Sequence, residues 1–448
     1  MKFDQLGLSE SLLRATRAEG YETATPIQAQ AIPTVLEGHD LMGCAQTGTG
    51  KTAAFAMPTL HTLSEGNQRT KLRTRPIRAL VLVPTRELAV QVTASFAKYG
   101  KFTQLRSTTI YGGVNQNPQV RALQKGVDIV VATPGRLLDL MNQGHVDLKH
   151  VEVLILDEAD QMLDMGFLPD LTRIVSAVPK DRQTLMFSAT MPDAIRRLAG
   201  QWLNDPKHVQ VSPNSSPVDT VKQSVFLVNT QHKPQLLTHY LQNTAWERTL
   251  VFARTKHGAD KIVKHLLRAG IRAAAIHGNK SQNARARTLE QFKSQRPPVL
   301  VATDIAARGL DVDAVTHVIN YELPEVPEIY VHRIGRTGRA GASGIATSFC
   351  GGEERGRLRQ IERLTRRSIN IEKTQPEYAL PEKSTSQSNG DSSRPRRSSG
   401  RPQSGKKNQS ASSRPKFAKS GAQKTEAQVS VNKPRRPKRR PRRVTTGK

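Results

Sequence analysis

The run from Ala45 to Thr52 combines small residues with a Lys-Thr pair, a combination that suits phosphate binding. Small residues let backbone N–H groups turn toward phosphate oxygens, and a helix starting at the end of such a run adds positive potential. Lys51 could then reach the outer phosphates of a nucleotide, and Thr52 could hold Mg²⁺. Ala45 replaces the first glycine of the usual pattern, and an ordinary glycine-rich turn is the alternative. The spacing predicts a phosphate-binding loop, the P-loop, made of Ala45, Gln46, Thr47, Gly48, Thr49, Gly50, Lys51 and Thr52.

Two adjacent carboxylates, Asp157 and Glu158, follow the apolar run Val153–Leu156. A P-loop needs a second strand with a carboxylate to hold the metal ion. Asp157 is therefore the candidate for Mg²⁺, and Glu158 is the candidate that orients or polarises the attacking water. Acidic residues are also common in the first turn of a helix, so a plain helix start is the alternative. The P-loop upstream favours the catalytic interpretation.

Gln28 lies upstream of the P-loop, in the segment Gly20–Gln28. A Gln amide can form two hydrogen bonds with the N6 and N7 edge of adenine, so Gln28 is a candidate for selecting ATP over GTP. The same residues also fit a plain helix start with Pro26 at its first position. The segment by itself leaves both interpretations open.

The second half of the chain has no Gly-Lys-Thr loop but has a dense arginine run from His332 to Arg339. Guanidinium groups pair with phosphate in a bidentate manner, and one placed against a γ-phosphate accelerates transfer by about 10³ to 10⁵. Arg336 and Arg339 are therefore candidate arginine fingers for the P-loop site, and a solvated basic loop is the alternative. A site split in this way would let ATP draw two domains together and hydrolysis release them.

Two α/β domains are needed to position these residues. Short apolar runs alternate with stretches of helical period, which predicts βαβ units and mostly parallel sheets. The linker is predicted in the Pro, Ser and Asn cluster at 211–218, between domains at 1–210 and 219–371. The predicted strands are Ala79–Val83, Ile129–Ala132, Val153–Leu156, Thr184–Phe187, Thr249–Phe252, Ala273–Ile276, Val299–Ala302 and His317–Asn320.

Positive charge is concentrated at the C-terminus. The 448 residues contain 68 Lys and Arg against 38 Asp and Glu, for a formal net charge of +30, and residues 372–448 alone carry 21 against 5. This segment is poor in Leu, Ile and aromatic residues and rich in Ser, Pro and Arg, so it cannot bury enough apolar surface to offset its ordering entropy. We predict a disordered basic tail at 372–448 that tethers RNA electrostatically, with a solvated linker as the alternative.

Several classes of protein are disfavoured by composition. Two cysteines, Cys44 and Cys350, cannot form a disulfide framework, which favours a reducing compartment. The N-terminus lacks the apolar core of a signal peptide, and no apolar run approaches the ~20 residues of a membrane span. The histidines show no zinc-site spacing, so Mg²⁺ with ATP is the only cofactor set expected. We expect a cytoplasmic protein that does not contact membranes.

The motifs resemble those of the DEAD-box ATP-dependent RNA helicases, in particular the bacterial RhlE-type subgroup. The likeness runs from about Phe3 to Ile371 and includes the segment ending at Gln28, the P-loop and the Asp157–Asp160 run. Ala24 departs from the family pattern, which usually has Pro there. Further matches, in family order, are Pro84–Leu88, Thr133–Arg136, Ser188–Thr190, Val251-Phe252, His277-Gly278 with Gln282 and Arg285, Ala302–Asp304, Arg308–Asp311 and His332–Arg339.

The resemblance implies two RecA-like domains with ATP and Mg²⁺ between them and single-stranded RNA across both. Catalysis would fall to Lys51, Asp157, Glu158, Arg336 and Arg339, with Thr52 and Asp157 at the metal ion. Outside the P-loop, the nucleotide would contact Phe3, Tyr21, Thr25, Gln28 and Asp311, and Ser188 and Thr190 would couple hydrolysis to unwinding. RNA would contact Arg86, Gly113, Thr133, Arg136, Gln282, Arg285 and Thr303.

The leading functional prediction is an RNA-stimulated ATPase that separates short duplexes and remodels ribonucleoprotein. An ATP-gated RNA clamp or annealing protein is the alternative, and a DNA helicase is disfavoured by the combination of Asp157–Asp160 with Gln28. Contacts to phosphate position RNA without reading bases, so binding of single strands and short duplexes should be independent of sequence. Ribosomal or RNA-decay proteins are candidate partners.

Overall fold

The structure is a computed structural model that describes residues 1–45, 48–65, 75–211, 221–307, 315–338, 343–374 and 377–378. Several predictions fall outside these ranges: the disordered tail beyond Tyr378, almost all of the linker, and the site residues Gln46, Thr47, Asp311 and Arg339. Two seven-stranded sheets lie within the described ranges, and both belong to one compact unit.

The first domain is a parallel sheet of order β3-β4-β2-β5-β6-β1-β7. Its strands are β1 (Leu41–Cys44), β2 (Ala79–Leu82), β3 (Ser107–Ile110), β4 (Ile129–Ala132), β5 (Val153–Leu156), β6 (Gln183–Ser188) and β7 (Lys207–Gln210). A 3₁₀ turn at Phe3–Leu6 precedes the helices α1 (Glu10–Ala18), α2 (Pro26–Leu36), α3 (Lys51–Glu65), α4 (Arg86–Tyr99), α5 (Asn117–Gln124), α6 (Pro134–Asn142), α7 (Ala159–Asp164), α8 (Leu168–Ser176) and α9 (Asp193–Trp202).

The second domain repeats this plan with the order β10-β11-β9-β12-β13-β8-β14. Its strands are β8 (Val221–Leu227), β9 (Thr249–Phe252), β10 (Ala273–Ile276), β11 (Val299–Ala302), β12 (His317–Asn320), β13 (Gly344–Cys350) and β14 (Asn370–Glu372). Its helices are α10 (Lys233–Asn243), α11 (Lys256–Arg268), α12 (Gln282–Lys293), α13 (Asp304–Ala307), α14 (Pro327–Ile334) and α15 (Arg355–Thr365), with 3₁₀ turns at Thr230–His232 and Gly352–Glu354.

Each sheet is buried on both faces, which is why its central strands are short apolar runs. In β2, Leu80 and Val81 are fully buried but belong to separate hydrophobic cores on opposite faces. In β9, Leu250 and Val251 divide in the same way. The α/β class with two parallel sheets is therefore confirmed.

β14 ends at Glu372, the residue at which the tail was predicted to begin. The chain still contacts the second domain beyond that point, because the backbone N–H of Asn229 donates to the carbonyl of Tyr378 at 3.0 Å. None of the helices in the described ranges is long and apolar enough to cross a membrane.

Candidate active site and nucleic-acid interface

The candidate ATP residues of the first domain lie at the carboxyl ends of neighbouring strands. The P-loop follows β1, Asp157 follows β5, and Ser188 ends β6, which pairs with both β1 and β5. Parallel strands present their carboxyl ends at one edge of the sheet, and ligands of such sheets bind there. The topology thus brings together residues that are more than 100 positions apart in sequence.

Residues in the described part of the P-loop contact one another and Gln28. Lys51 begins α3 with a side chain only 6% exposed, and its Nζ donates to the carbonyl of Ala45 at 2.8 Å. Gly50 has φ of 91°, and a Cβ there would collide with the Gln28 amide. Glycine is therefore required at this position both by conformation and by the close approach of Gln28.

Gln28 connects the start of α2 to the P-loop. Its Oε1 accepts from the backbone N–H of Thr25 at 3.0 Å, and its Nε2 donates to the carbonyl of Gly50 at 3.2 Å. The rings of Phe3 and Tyr21 stack nearby with centroids 6.3 Å apart. The amide is therefore held beside the phosphate loop, with both of its polar atoms bonded within the protein.

Asp157 and Glu158 are each only 3% exposed. Glu158 has φ of 54° and ψ of 49°, a left-handed conformation that is unfavourable for a residue with a side chain. Among the described residues its Oε2 has no hydrogen-bond partner. A strained, buried carboxylate with an unpaired oxygen suits binding of a ligand better than it suits packing.

Charged groups of both domains act on the pKa values of this carboxylate pair. Burial and the charge of Asp157 raise the pKa of Glu158 to about 7, whereas the charges of Lys51 and Arg336 oppose the rise. Burial also raises the pKa of Asp157, and Lys51 again opposes it. Arg336 belongs to the second domain, so its charge reaches the carboxylates of the first.

Asp160 joins the carboxylate turn to the segment after β6. Its Oδ2 accepts from the backbone N–H and the hydroxyl of Thr190 at 2.9 and 2.8 Å. The Ser188 hydroxyl accepts from the backbone N–H of Asp160 at 3.3 Å and donates to the carbonyl of Thr190 at 2.7 Å. The two predicted coupling residues are thus bonded directly to the turn that carries Glu158.

An ion pair between buried Arg333 and partly exposed Asp304 holds the start of the arginine segment. Arg333 is 2% exposed, and its Nε and Nη2 donate to the two carboxylate oxygens of Asp304 at 2.6 and 2.7 Å. Its Nη1 also donates to the carbonyl of Glu322 at 2.7 Å. Because Arg336 follows one turn later, this ion pair fixes the backbone that presents it.

Most of the predicted RNA residues surround one cleft of about 480 Å³. The strands β3, β4 and β2 are adjacent, and the segments after them supply the first-domain wall. The second domain supplies Gly278, Arg285 and Ile305. The complete lining is Pro84, Thr85, Arg86, Glu87, Gly112, Thr133, Gly135, Arg136, Asp139, Met165, Phe167, Gly278, Arg285 and Ile305.

Three predicted RNA residues are not part of this lining but lie beside it. A Cβ on Gly113 would collide with the Arg86 guanidinium, so glycine permits that close approach. Gln282 donates through its side-chain amide to Glu87 at 3.0 Å. Thr303 immediately precedes α13, whose residue Ile305 lines the cleft.

Glu87 is the main feature of the site that the sequence did not predict. Its Oε1 accepts from Arg285 at 2.7 Å as well as from Gln282, and both partners belong to the second domain. The side chains of Glu87 and Arg285 are each 9% exposed. Burial disfavours the Glu87 carboxylate, but the hydrogen bond and charge of Arg285 lower its pKa overall. The signal in the sequence that could have indicated this contact was a carboxylate among cations predicted to bind phosphate.

Comparison with known proteins agrees with this arrangement. The model of the DEAD/DEAH box helicase domain matches residues 25–198, and that of the helicase conserved C-terminal domain matches residues 232–341. The ATP-dependent RNA helicase CshA of Limosilactobacillus reuteri is 44% identical over 366 residues, which is 82% of this chain and 72% of that protein. The CshA of Streptococcus pneumoniae TIGR4 is 48% identical over 371 residues, covering 82% and 69% respectively.

Two solved structures also resemble this chain. One is Saccharomyces cerevisiae Dbp5 bound to RNA and ADP BeF3, with 31% identity, a TM-score of 0.72, and coverage of 83% of this chain and 95% of that one. The other is Mss116p bound to ssRNA and AMP-PNP, with 26% identity, a TM-score of 0.74, and coverage of 84% and 80%.

Two RecA-like domains with one P-loop, and with a cleft lined by both, define an ATPase that acts on nucleic acid. The chain belongs to the DEAD-box ATP-dependent RNA helicases. It is an enzyme that uses ATP and acts on RNA.

Proposed function

We propose that ATP binds at the carboxyl edge of β1, β6 and β5, that RNA lies in the cleft, and that the two domains close on both ligands. The observation that carries this proposal is that each site draws on both domains. The charge of Arg336 reaches Glu158, and Arg285 bonds to Glu87. A ligand that stabilises one of these contacts also favours the other, which gives the coupling between hydrolysis and RNA binding.

The residues at the ATP edge suit a Mg²⁺ ion held with the phosphates. Within the described ranges no cluster of three or more His, Cys, Asp or Glu side chains could hold a metal alone. Mg²⁺ commonly binds through one or two protein oxygens together with substrate phosphates. The Asp157 carboxylate and the Thr52 hydroxyl would hold it, and the ion would neutralise charge on the phosphates.

The chain's own groups divide the remaining work. Lys51 exchanges its bond to the Ala45 carbonyl for phosphate oxygens, which removes a cost of keeping this cation buried. Glu158 offers its unpaired Oε2 to the attacking water and orients it. Arg336, and Arg339 outside the described residues, stabilise charge that develops on the γ-phosphate.

The hydrogen bonds of Asp160 provide the route from hydrolysis to the cleft. Asp160 belongs to the same turn as Glu158 and holds Thr190 by two hydrogen bonds. Any shift of this turn during hydrolysis therefore moves the segment after β6. In this way Ser188 and Thr190 would transmit closure of the ATP site to the grip on RNA.

Recognition of RNA should not depend on base sequence. The cleft presents the starts of α4 and α6, at Arg86 and Pro134, together with the guanidinium groups of Arg136 and Arg285. Helix starts and guanidinium groups bind phosphate, which carries no sequence information. We propose that single strands and short duplexes bind equally well whatever their sequence.

The first test is steady-state ATP hydrolysis with Mg²⁺, alone and with single-stranded RNA or DNA of identical sequence. We expect stimulation by RNA and much less by DNA, because the 2′-hydroxyl is what separates the two polymers. Equal rates with and without nucleic acid would contradict the proposed coupling. Duplex separation at catalytic amounts of protein then distinguishes a helicase from an ATP-gated clamp that only holds RNA.

Replacing Gln28 by Ala should weaken selection of ATP over GTP. The amide would lose its hydrogen bonds to the adenine edge, each worth about 0.5–1.5 kcal/mol, so we expect KM for ATP to rise about tenfold. KM for GTP should change little. Gln30→Ala is the matched control, since Gln30 is exposed two residues later on the same helix. Equal changes in KM for both nucleotides would mean that Gln28 acts only by holding the P-loop.

Two finer assignments stay proposals. The motifs suggested the RhlE-type subgroup, whereas the bacterial relatives compared above carry the name CshA. This chain can be expressed in one strain that lacks its RhlE-type helicase and in another that lacks CshA. Restored growth in one strain but not in the other would distinguish the subgroups. A cytoplasmic location rests on the composition, and cell fractionation would test it. Partnership with ribosomal or RNA-decay proteins is also a proposal, and purification of this protein from cell extracts with its bound RNA and proteins would test it.

A further inference from the structure

A concentrated positive surface lies on the last helix of the second domain, away from the cleft. Residues 355–373 contain seven Lys and Arg but only two carboxylates. Six of these cations are exposed. Five of them, Arg355, Arg359, Arg363, Arg366 and Arg367, lie on or directly after the helix, and we refer to these five as the α15 face. None of them takes part in the ATP site or the RNA cleft described above.

The helical repeat aligns the first three of these arginines. Leu358 and Ile361 of α15 are buried in the core, which leaves the opposite side of the helix in solvent. Arg355, Arg359 and Arg363 follow one another at intervals of four residues, so they form a stripe with a spacing of about 6 Å along the helix. A stripe of this kind matches a chain of regularly spaced anions.

Nearby carboxylates do not neutralise this stripe. Arg357 pairs with Glu325 at 3.2 Å, but in the described part of the chain Arg355, Arg359, Arg363 and Arg366 have no ion pair. The carboxylate of Glu362 accepts instead from the backbone N–H of Ile369 at 3.0 Å. Like charges spaced by four residues repel and destabilise a helix, so a polyanion would stabilise this face.

α15 connects β13 to β14, toward the edge of the second sheet opposite β10. β14, which follows α15, is at one edge of the second sheet, and β10, which leads to the cleft residue Gly278, is at the other. Six strand spacings of about 4.8 Å separate these edges by about 29 Å. RNA held in the cleft must therefore extend over the second domain to reach α15.

RNA fits this surface better than an acidic protein does. The chain already binds RNA in the cleft under the proposed function, and the cleft is lined by both domains, so one end of a longer RNA can leave it across the second domain. Two exposed apolar side chains, Leu364 and Ile371, lie beside the arginines and can contact bases or ribose without reading them. The described part of the face has no aromatic side chain for base stacking, which favours a backbone-directed contact.

We propose that the α15 face binds the phosphates of the RNA segment that flanks the segment held in the cleft. This inference rests on the proposed binding of RNA in the cleft and extends it to a second site. The face would increase affinity for long RNA without changing how the cleft holds a short one. Its contribution is electrostatic, so it weakens as salt rises.

The test compares two charge-matched variants of the full chain. Arg359→Gln with Arg363→Gln removes two cations from the α15 face, and Lys264→Gln with Arg268→Gln removes two exposed cations at the same spacing from α11. Binding is measured with single-stranded RNA of about 8 and about 40 nucleotides over a range of salt. The shorter RNA leaves few phosphates outside the cleft, whereas the longer RNA leaves many that can reach α15. Thermal unfolding establishes that both variants fold.

We expect the α15 variant to bind the longer RNA about five- to tenfold more weakly at low salt. The slope of log affinity against log salt should fall by about 1.4, since each phosphate contact of a single strand contributes about 0.7. Affinity for the shorter RNA should be unchanged in both variants. Equal losses for both RNA lengths, an equal loss in the α11 variant, or no loss for the longer RNA would overturn the proposal. If the unaltered protein failed to bind the shorter RNA, that result would instead contradict the proposed binding of RNA in the cleft.

Discussion

Glu158→Gln should reduce RNA-stimulated ATP hydrolysis by about 10² to 10⁴, the usual contribution of a positioned general base. Glutamine keeps the shape of the side chain but cannot accept a proton from the attacking water. The atom proposed to accept this proton is the buried Oε2, which has no hydrogen-bond partner among the residues that the structure describes. ATP binding should change only a few-fold, because Lys51 and the P-loop are untouched. The measurement is the steady-state rate with saturating RNA beside the affinity for ATP.

The matched control is Glu247→Gln, which alters an exposed carboxylate in the second domain. It should leave the rate of hydrolysis within about twofold, as expected for a surface substitution away from the site. A rate in Glu158→Gln within about tenfold of the unaltered protein would show that another group orients the water, since a positioned base contributes more than that.

The same variant provides a second readout through the pKa of Glu158. Burial raises this pKa from an ordinary 4.5 to about 7, so the folded protein bears an electrostatic cost wherever the carboxylate is ionised. That cost is fully present above about pH 7 and fades as the pH falls toward 4.5. Without nucleotide or Mg²⁺, Glu158→Gln should therefore stabilise the protein by about 3 kcal/mol at pH 8 and by much less at pH 5. Equal changes in unfolding free energy at both pH values would contradict the raised pKa.

The strands predicted from sequence are those whose residues are apolar on both faces. The predicted and observed bounds agree for β4, β5, β9, β10, β11 and β12. β2 is one residue shorter than predicted at its end, and β6 is one residue longer at each end. The sequence did not predict β3 and β7, which lie at the two edges of the first sheet and keep polar or exposed residues. An edge strand contacts one neighbour only, so its sequence can stay polar, as in β3 and β7. β10 is also at an edge, but its residues Ala273–Ile276 are all apolar, and it was predicted.

β8 and β13 were also missed, for a different reason. Both are seven-residue strands in the interior of the second sheet, but each contains polar residues at buried positions. The hydroxyls of Ser224 and Thr347 lie 3.4 Å apart between these strands, and Thr347 also contacts the Tyr240 hydroxyl at 2.9 Å. Buried hydroxyls satisfied by one another are tolerated in a core, although the sequence pattern then looks like a loop.

Sequence motifs located the individual site residues but not the bonds between them. Most of the motifs follow a strand, and parallel strands present their ends at one edge, so the proximity of those motifs within a domain was predictable. The segment ending at Gln28 and the run from His332 to Arg339 instead adjoin helices. The pairing of Glu87 with Arg285 joins residues 198 positions apart and depends on how two domains meet. The Asp160–Thr190 bonds likewise depend on β5 and β6 being neighbours in the sheet. Such pairings follow from tertiary structure, which no local pattern records.

Arg285→Ala should lower RNA affinity and RNA-stimulated hydrolysis by about 10- to 100-fold at limiting RNA, the range expected for a hydrogen bond to a charged group. Arg285 lines the cleft and also pairs with Glu87, so the substitution removes a phosphate-binding cation and an interdomain contact together. It leaves the Glu87 carboxylate 91% buried in that contact without its charged partner. Removing one member of a buried ion pair typically costs about 3–5 kcal/mol, which disfavours closure of the two domains.

A double-mutant cycle with Glu87→Gln separates the two roles of Arg285. If Arg285 acts through Glu87, Glu87→Gln alone weakens RNA binding. The double variant then binds RNA little worse than Arg285→Ala does, and the coupling free energy between the two substitutions is about 0.5–3 kcal/mol. If Arg285 only contacts phosphate, Glu87→Gln leaves RNA affinity unchanged and the effects add. Arg287→Ala is the matched control, since Arg287 is exposed on the same helix and lies outside the lining of the cleft. We expect a non-additive cycle, because the bond between Glu87 and Arg285 belongs to the closed arrangement in which the cleft has both of its walls.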